Sequence, residues 1–223
     1  MMYGGHRFWA APESKERTYV ADNFPVETRV VESSIRLTAP VEPCGLQKTL
    51  ILEPLSTLNT IKVTHLLINK GREAIEAAPW GLSVMHAGGT AIIPLSPKVP
   101  HTARLTPNSS FIHWGYTDIT DPRWSWGEKF LFLRQEEHFE NPQKIGVHTS
   151  QDWAAYLNNG TLFVKISKYI PNTVYPDYGS HFEFFTNKSM LEMESLGTLS
   201  TLKPGQQVTH IEYWSLFEGL KTV

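Results

Sequence analysis

The stretch TIKVTHLLIN, residues 60–69, begins with Ile61 and Val63 alternating with threonine and lysine. A period of two is typical of a β-strand that buries one face and exposes the other. The same kind of pattern occurs in TLFVKISKYI at 161–170 and in VTHIEYWSLF at 208–217. These three stretches predict a protein built mainly from β-strands.

Shorter segments extend this pattern along the chain and bring the expected number of strands to about a dozen. No change of composition, flexible linker or fixed-period repeat divides the sequence, so residues 1–223 are expected to form one domain. Long sheets with few helices predict a sandwich or a barrel. The further expected strands are 28–38, 48–54, 73–79, 82–86, 90–95, 110–116, 129–135, 180–186 and 190–196.

Two local features refine this prediction. The AGG at 87–89 can take positive φ, so the segments on either side of it, 82–86 and 90–95, are expected to pair as a hairpin. SQDWAAYLNNG at 150–160 predicts a helix of about two turns, with a serine as N-cap and a glycine beyond its end.

Charge and composition exclude several classes of partner. Lys and Arg total 20 against 22 Asp and Glu, which gives a net charge of −2 and no basic surface for nucleic acid or anionic membranes. No apolar run approaches the ~18 residues of a membrane span, and no secretory signal begins the sequence, so the default expectation is a cytoplasmic protein. The single cysteine, Cys44, excludes an internal disulfide, and it forms no zinc-type spacing with the nine histidines. We therefore expect neither a metal nor a cofactor.

Carboxylates alternate with apolar residues in SHFEFFTNKSMLEMESLG, residues 180–197. His181 and Glu183 would share one face of a strand, where the pair could bind a metal, act as acid and base, or form an ordinary solvated ion pair. Glu192 and Glu194 would likewise share a face, which indicates either open solvent or a polar pocket.

Other histidines and tryptophans are open to two interpretations. His86, at the end of an expected strand, could be a ligand-binding or a structural histidine. The tryptophans at 80, 114, 124 and 126 could stack on a sugar ring or fill the core.

Six blocks of sequence follow one another over nearly the whole chain: YGGHRFWAAPE (3–13), INKGREAIEAAPWGLSVMHAGGTAIIPL (68–95), YTDITDPRW (116–124), FEFFTN (182–187), LEMESLGTLSTLKPG (191–205) and HIEYWSLF (210–217). Together they resemble a bacterial family of unknown function in the galactose-mutarotase-like superfamily. The resemblance implies an all-β fold, the β-supersandwich, which is a large twisted antiparallel sandwich whose concave face carries a carbohydrate pocket. It also implies a small sugar or sugar derivative as ligand and no redox cofactor.

The resemblance implies site residues as well. GGHR is similar in position to a substrate-binding Asn-Arg pair of sugar mutarotases, which places His6 and Arg7 in the pocket. LEME places Glu192 where mutarotases carry their general base, a carboxylate that takes the proton from the anomeric hydroxyl.

The sequence departs from mutarotases at the general acid. Their histidine corresponds to Trp80 in EAAPWGLSV, so the acid is expected among His6, His86 and His181. His181 with Glu192 then forms the expected catalytic pair, and Glu183 joins the expected substrate contacts.

Members of the family usually carry strands ahead of the GGHR block, so the chain is expected to lack amino-terminal strands and to self-associate through an exposed sheet edge. Three functions remain open. The protein could catalyse aldose 1-epimerase-type proton transfer, it could bind carbohydrate without catalysis and use Trp80 as a stacking platform, or it could be an inert or assembly domain.

Overall fold

The protein's structure, a computed structural model, describes residues 5–20, 23–56 and 59–220. These residues form seventeen β-strands and one short helical turn. The strands are β1 Gly5–Ala11, β2 Glu27–Val31, β3 Ser34–Thr38, β4 Leu46–Pro54, β5 Thr60–Asn69, β6 Ile75–Met85, β7 Thr90–Pro94, β8 Ser110–His113, β9 Trp124–Trp126, β10 Phe130–Arg134, β11 Gln143–His148, β12 Trp153–Asn158, β13 Thr161–Ser167, β14 Phe182–Thr186, β15 Leu191–Leu196, β16 Ser200–Leu202 and β17 Gln207–Phe217. The turn, α1, is Pro176–Gly179.

Two antiparallel sheets contain all of these strands. The seven-stranded sheet has the order β1-β6-β15-β14-β11-β8, with β16 pairing with the start of β6. The ten-stranded sheet has the order β2-β3-β4-β5-β17-β13-β12-β7-β10-β9. The all-β sandwich expected from the sequence is therefore confirmed.

The main hydrophobic core fills the space between the sheets. Phe184 and Met193, on neighbouring strands of the seven-stranded sheet, are fully buried against Ile93 and Leu133 of the ten-stranded sheet. Burying such side chains is the main favourable contribution to folding. Since successive side chains of a strand point to opposite faces, the residues between these core positions project from the outer face of the seven-stranded sheet.

The period-two stretches are confirmed as strands, but the helix predicted at 150–160 is wrong. Residues 153–158 form β12, which pairs with β7 on one side and β13 on the other. Asn159 and Gly160 both have positive φ and connect β12 to β13 as a two-residue hairpin loop. The Asn-Gly pair is thus a hairpin turn, not the end of a helix.

The hairpin predicted around 87–89 is also wrong. β6 belongs to the seven-stranded sheet and β7 to the ten-stranded sheet, so the connection carries the chain from one sheet to the other. The expected strands 73–79 and 82–86 are one strand, β6, whereas 28–38 contains two strands joined at Glu32, which has positive φ.

β1 lies at an edge of the seven-stranded sheet within the described part of the chain and pairs with β6 alone. Among the described residues, no helix combines the length and the apolar character needed to cross a bilayer.

Candidate functional site

Five ionisable side chains lie together on the outer face of the seven-stranded sheet, which we call the charged face: Arg7, Lys144, Glu183, Glu192 and Glu194. The strand register explains why they meet. Arg7 pairs with Leu82, Leu82 with Glu194, and Glu194 with Glu183, and directly paired residues lie on the same face of a sheet. In the next row Glu192 pairs with Phe185, which pairs with Lys144. The consecutive strands β14 and β15 thus meet charges from β1 and β11, which are distant in sequence.

Lys144 joins the two deepest carboxylates of the charged face. Its Nζ lies 2.8 Å from Glu183 Oε2 and 3.1 Å from Glu194 Oε2, and both carboxylates are fully buried. The same ammonium lies 4.9 Å from the ring centroid of Trp80 and 4.7 Å from that of Trp114, which are cation–π distances. The lysine is therefore held by two opposite charges and two aromatic faces.

Arg7 and Glu192 form the part of the charged face nearest to solvent. The guanidinium donates to Glu192 Oε1 and lies 4.7 Å from the Trp9 ring centroid. The side chains of Arg7 and Glu192 are 20% and 9% exposed. Trp9 is partly exposed and Tyr116 is 46% exposed, so aromatic side chains stand beside the charges where solvent reaches them.

Some polar atoms of this face have no hydrogen-bond partner among the described residues. They include Arg7 Nε and Glu194 Oε1, although the other oxygen of Glu194 accepts from Trp80 Nε1 at 2.8 Å. Buried polar groups without partners are costly and uncommon in proteins, so each calls for an explanation.

The surroundings strongly shift the pKa values of ionisable groups on the charged face. Burial raises the pKa of Glu192 to about 7, the Glu194 carboxylate acts in the same direction, and the Arg7 guanidinium opposes both. Burial also raises the pKa of Glu183 well above its ordinary value. The Glu194 carboxylate raises it further, whereas the Lys144 ammonium lowers it. Burial disfavours the ammonium form of Lys144, but Glu194 and Glu183 outweigh it and raise the pKa of that lysine. Carboxyl groups with raised pKa values are candidates for proton exchange with a ligand.

Four of the residues expected at the site do meet. Arg7, Glu183 and Glu192 belong to the charged face. The Trp80 side chain contacts two other members of that face, Glu194 and Lys144. Trp80 is only 2% exposed, packs edge-on against Trp9 at a centroid distance of 5.3 Å, and donates its N–H to Glu194. It therefore fixes a carboxylate and offers no open surface for stacking.

The three expected histidines lie elsewhere. His6 projects from the opposite face of β1 to Arg7, because neighbouring residues of a strand alternate, and its ring bonds to Ser83 between the two sheets. His86 is exposed in the connection between β6 and β7. His181 shares the outer face but packs edge-on against Tyr169 and Tyr175 at centroid distances of 5.5 and 5.6 Å, and burial lowers its pKa to about 3. A neutral imidazole in this setting is a poor proton donor.

Sequence reasoning did not select Lys144 or Asp177. Lys144 lies in β11, whose sequence QKIGVH mixes polar and apolar residues, so no local signal marked this lysine. Asp177 lies in α1, where Asp177 and Tyr178 both adopt positive φ. Burial raises the pKa of Asp177, while a hydrogen bond with Glu183 lowers it, so this carboxyl reaches the charged face. Nothing in the sequence indicated that turn.

The fold matches several solved structures. A galactose mutarotase-like protein from Lactobacillus casei ATCC 334 superposes with a TM-score of 0.54 at 9% identity, over 87% of this chain and 73% of the other. The galactose mutarotase related enzyme from Lactobacillus acidophilus gives 0.50 at 10% identity, over 90% and 74%. The Slr1438 protein from Synechocystis sp. PCC 6803 gives 0.54 at 9% identity, and this chain spans 66% of its length.

No protein-family model and no curated protein sequence matches this chain. The structural matches define the fold, which is that of the galactose-mutarotase-like proteins, as the six sequence blocks implied. Identities of 9–10% define the fold alone, because one fold serves many activities.

Proposed function

We propose that the protein binds a small sugar or sugar derivative on the charged face and transfers protons at its anomeric centre. The observation that carries this proposal is a set of buried carboxyls and cations that reaches solvent at Arg7 and Glu192, beside partly exposed aromatic rings. Sugar rings offer hydroxyls to such charges and C–H faces to aromatic rings. The carbohydrate-related names of the structural matches agree with this ligand class.

The proposed reaction assigns the two roles to two carboxyls. Glu192, with a pKa of about 7, takes the proton of the anomeric hydroxyl. Glu183, whose pKa burial raises well above its ordinary value, gives a proton to the ring oxygen as the bond between that oxygen and the anomeric carbon breaks. Because this carboxyl is fully buried, the step requires the sugar to displace the side chains that cover it. The open-chain aldehyde rotates, and the reverse transfers close the ring in the other anomeric form. Protons and electrons balance without an oxidant or reductant.

The test is proton NMR exchange spectroscopy on a panel of aldoses and uronic acids with the purified chain. We expect faster exchange between anomers, reduced about 100-fold or more by Glu192→Gln, because a general base contributes about 10²–10⁴-fold. The matched control is Glu76→Gln, an exposed carboxylate on β6, which should leave the exchange rate unchanged. Equal exchange rates in Glu192→Gln and the unmodified chain would exclude Glu192 as the base.

A second candidate function is carbohydrate binding without catalysis. It is favoured by Trp80, which stands where mutarotases carry their acid and is nearly fully buried against Glu194. Here the same spectra would show broadening of sugar resonances without faster exchange. If no sugar of the panel gives either effect, both functions are contradicted.

A further inference from the structure

A second cluster of ionisable side chains lies between the two sheets, on the inner side of β1 and β6. We call it the inter-sheet cluster: His6, His65, Lys165, His210 and Glu212. His65, Lys165 and Glu212 are fully buried. Among residues 5–20, 23–56 and 59–220, only His6, His65 and Glu212 form a group of three potential metal ligands, with ligand atoms within 4.8 Å of one another.

The two imidazoles are held with their Nε2 atoms facing each other. His6 Nε2 lies 2.7 Å from His65 Nε2. The other ring nitrogens are tied to oxygens, since His6 Nδ1 lies 3.0 Å from Ser83 Oγ and His65 Nδ1 lies 3.3 Å from the carbonyl of His210. Metal-binding histidines in proteins almost always have this outer hydrogen bond, which fixes the tautomer that offers Nε2. His65 already has that arrangement, because its Nδ1 can only donate to a carbonyl. The 2.7 Å contact requires a proton on one of the two Nε2 atoms, and that proton belongs to His6.

Lys165 limits which atom of Glu212 is free. Its Nζ lies 3.1 Å from Glu212 Oε1 and donates to the carbonyls of Gly81 and Met193 at 3.3 and 3.0 Å, and Ser195 Oγ also donates to Oε1. Glu212 Oε2 accepts from Trp214 Nε1 at 2.5 Å and keeps a second acceptor position.

Gly81 allows the three groups to converge. A Cβ on this residue would lie 2.6 Å from Glu212 Oε1, 3.0 Å from His65 Nε2 and 3.2 Å from His6 Cε1. Such distances are too short, so any side chain at residue 81 would push the ligands apart. The convergence depends on this glycine.

We propose that His6, His65 and Glu212 bind a divalent transition metal ion of the zinc class. Two imidazole nitrogens and one carboxylate oxygen form a donor set that suits zinc, and they leave a fourth tetrahedral position for water or another ligand. Zn–N bonds of about 2.0–2.1 Å require the two Nε2 atoms to move apart to about 3.3 Å. The His6 proton moves from Nε2 to Nδ1, where Ser83 Oγ can accept the hydrogen bond. This site is on the other side of the sheet from the charged face and does not depend on the proposed function.

The test uses the full chain, purified with a chelator and then dialysed. Co²⁺ is titrated and followed by its visible d–d absorption, and Zn²⁺ is then added in competition. We expect one Co²⁺ per chain, displaced by Zn²⁺, and at least about 100-fold weaker binding in His6→Gln, whose amide can still bond to Ser83. His138→Gln, at an exposed histidine outside the cluster, is the control and should bind as the unmodified chain does. No binding at micromolar metal, or equal binding by the two variants, would overturn the proposal.

A second measurement does not rely on a variant that must fold. Histidine ¹⁵N NMR of the unmodified chain should show zinc shifting Nε2 of two imidazoles, both with a protonated Nδ1, and no others. Shifts confined to other histidines, or no shifts at all, would equally overturn the proposal.

Discussion

At the scale of single residues, the surroundings of Glu192 set its chemistry. Its carboxyl is nearly buried, stands on the same strand face as Glu194, and is paired with only one cation, Arg7. Burial and the like charge together outweigh that cation, which is why its pKa reaches about 7. The sequence indicated that Glu192 and Glu194 share a face, but burial of both depends on side chains from distant strands.

This raised pKa makes stability depend on pH. The folded carboxyl holds its proton up to about pH 7, whereas the unfolded one releases it near 4.5, so stability present at low pH is lost as pH rises between these values. Glutamine cannot ionise, so Glu192→Gln should not lose this stability as the pH rises. We expect its free energy of unfolding at pH 8 to exceed that of the unmodified chain by about 1–3 kcal/mol. Urea denaturation at pH 4.5, 6, 7 and 8 measures it. Parallel pH curves for the two proteins would refute a raised pKa at Glu192.

Lys144 offers a second test at this scale. Lys144→Met removes the cation that contacts the fully buried carboxyl groups of Glu183 and Glu194, and leaving a buried charge unpaired costs about 3–5 kcal/mol. The matched control is Lys188→Met, which breaks the exposed ion pair with Glu140 and should change stability by no more than about 0.5 kcal/mol. Chemical denaturation of both variants gives the comparison. A loss as small in Lys144→Met as in the control would show that this lysine does not compensate the carboxylates.

At the scale of elements, β12 and its turn show where local sequence signals compete. SQDWAAYLNNG contains a credible helix start and end, yet strands on both sides provide hydrogen-bond partners for its backbone. Buried Ala154 and Ala155 pack in the sheet, and tertiary contacts outweigh their helix propensity. The Asn-Gly pair was the decisive local signal, because a two-residue hairpin loop requires positive φ at both positions.

We therefore expect Gly160→Ala to destabilise the protein by about 1 kcal/mol or more. Its φ is +77° and an added Cβ would lie 3.2 Å from the carbonyl of Leu220, so the substitution adds both strain and crowding. Gly115→Ala is the control, since a Cβ there meets nothing within 4 Å and its φ is not positive. Thermal denaturation measures both. If the two variants melt alike, the turn does not constrain this hairpin.

At the scale of the whole molecule, the sequence predicted strands better than their assembly. Alternation indicates which segments are strands, but sheet membership is decided by long-range pairing, so β6 and β7 were expected together and lie in different sheets. The charged face also results from long-range strand pairing. Arg7 and Glu192 are 185 positions apart in the sequence, and only β6 between their strands brings them into contact. The family resemblance predicted Arg7 and Glu192 as site residues. Lys144 could be placed beside them only once the pairing of β11 with β14 was known.

Because β1 lies at an edge of its sheet, ligand binding is expected to change the local stability of this strand. β1 contributes a guanidinium and an indole to the charged face and an imidazole to the inter-sheet cluster, and within the described part of the chain it pairs with β6 alone. Local opening of an edge strand costs less free energy than global unfolding, and opening of β1 would disrupt both groups of residues at once. A ligand or metal ion bound at either proposed site would oppose this opening, so the amide hydrogens of residues 5–11 would exchange more slowly when it is bound.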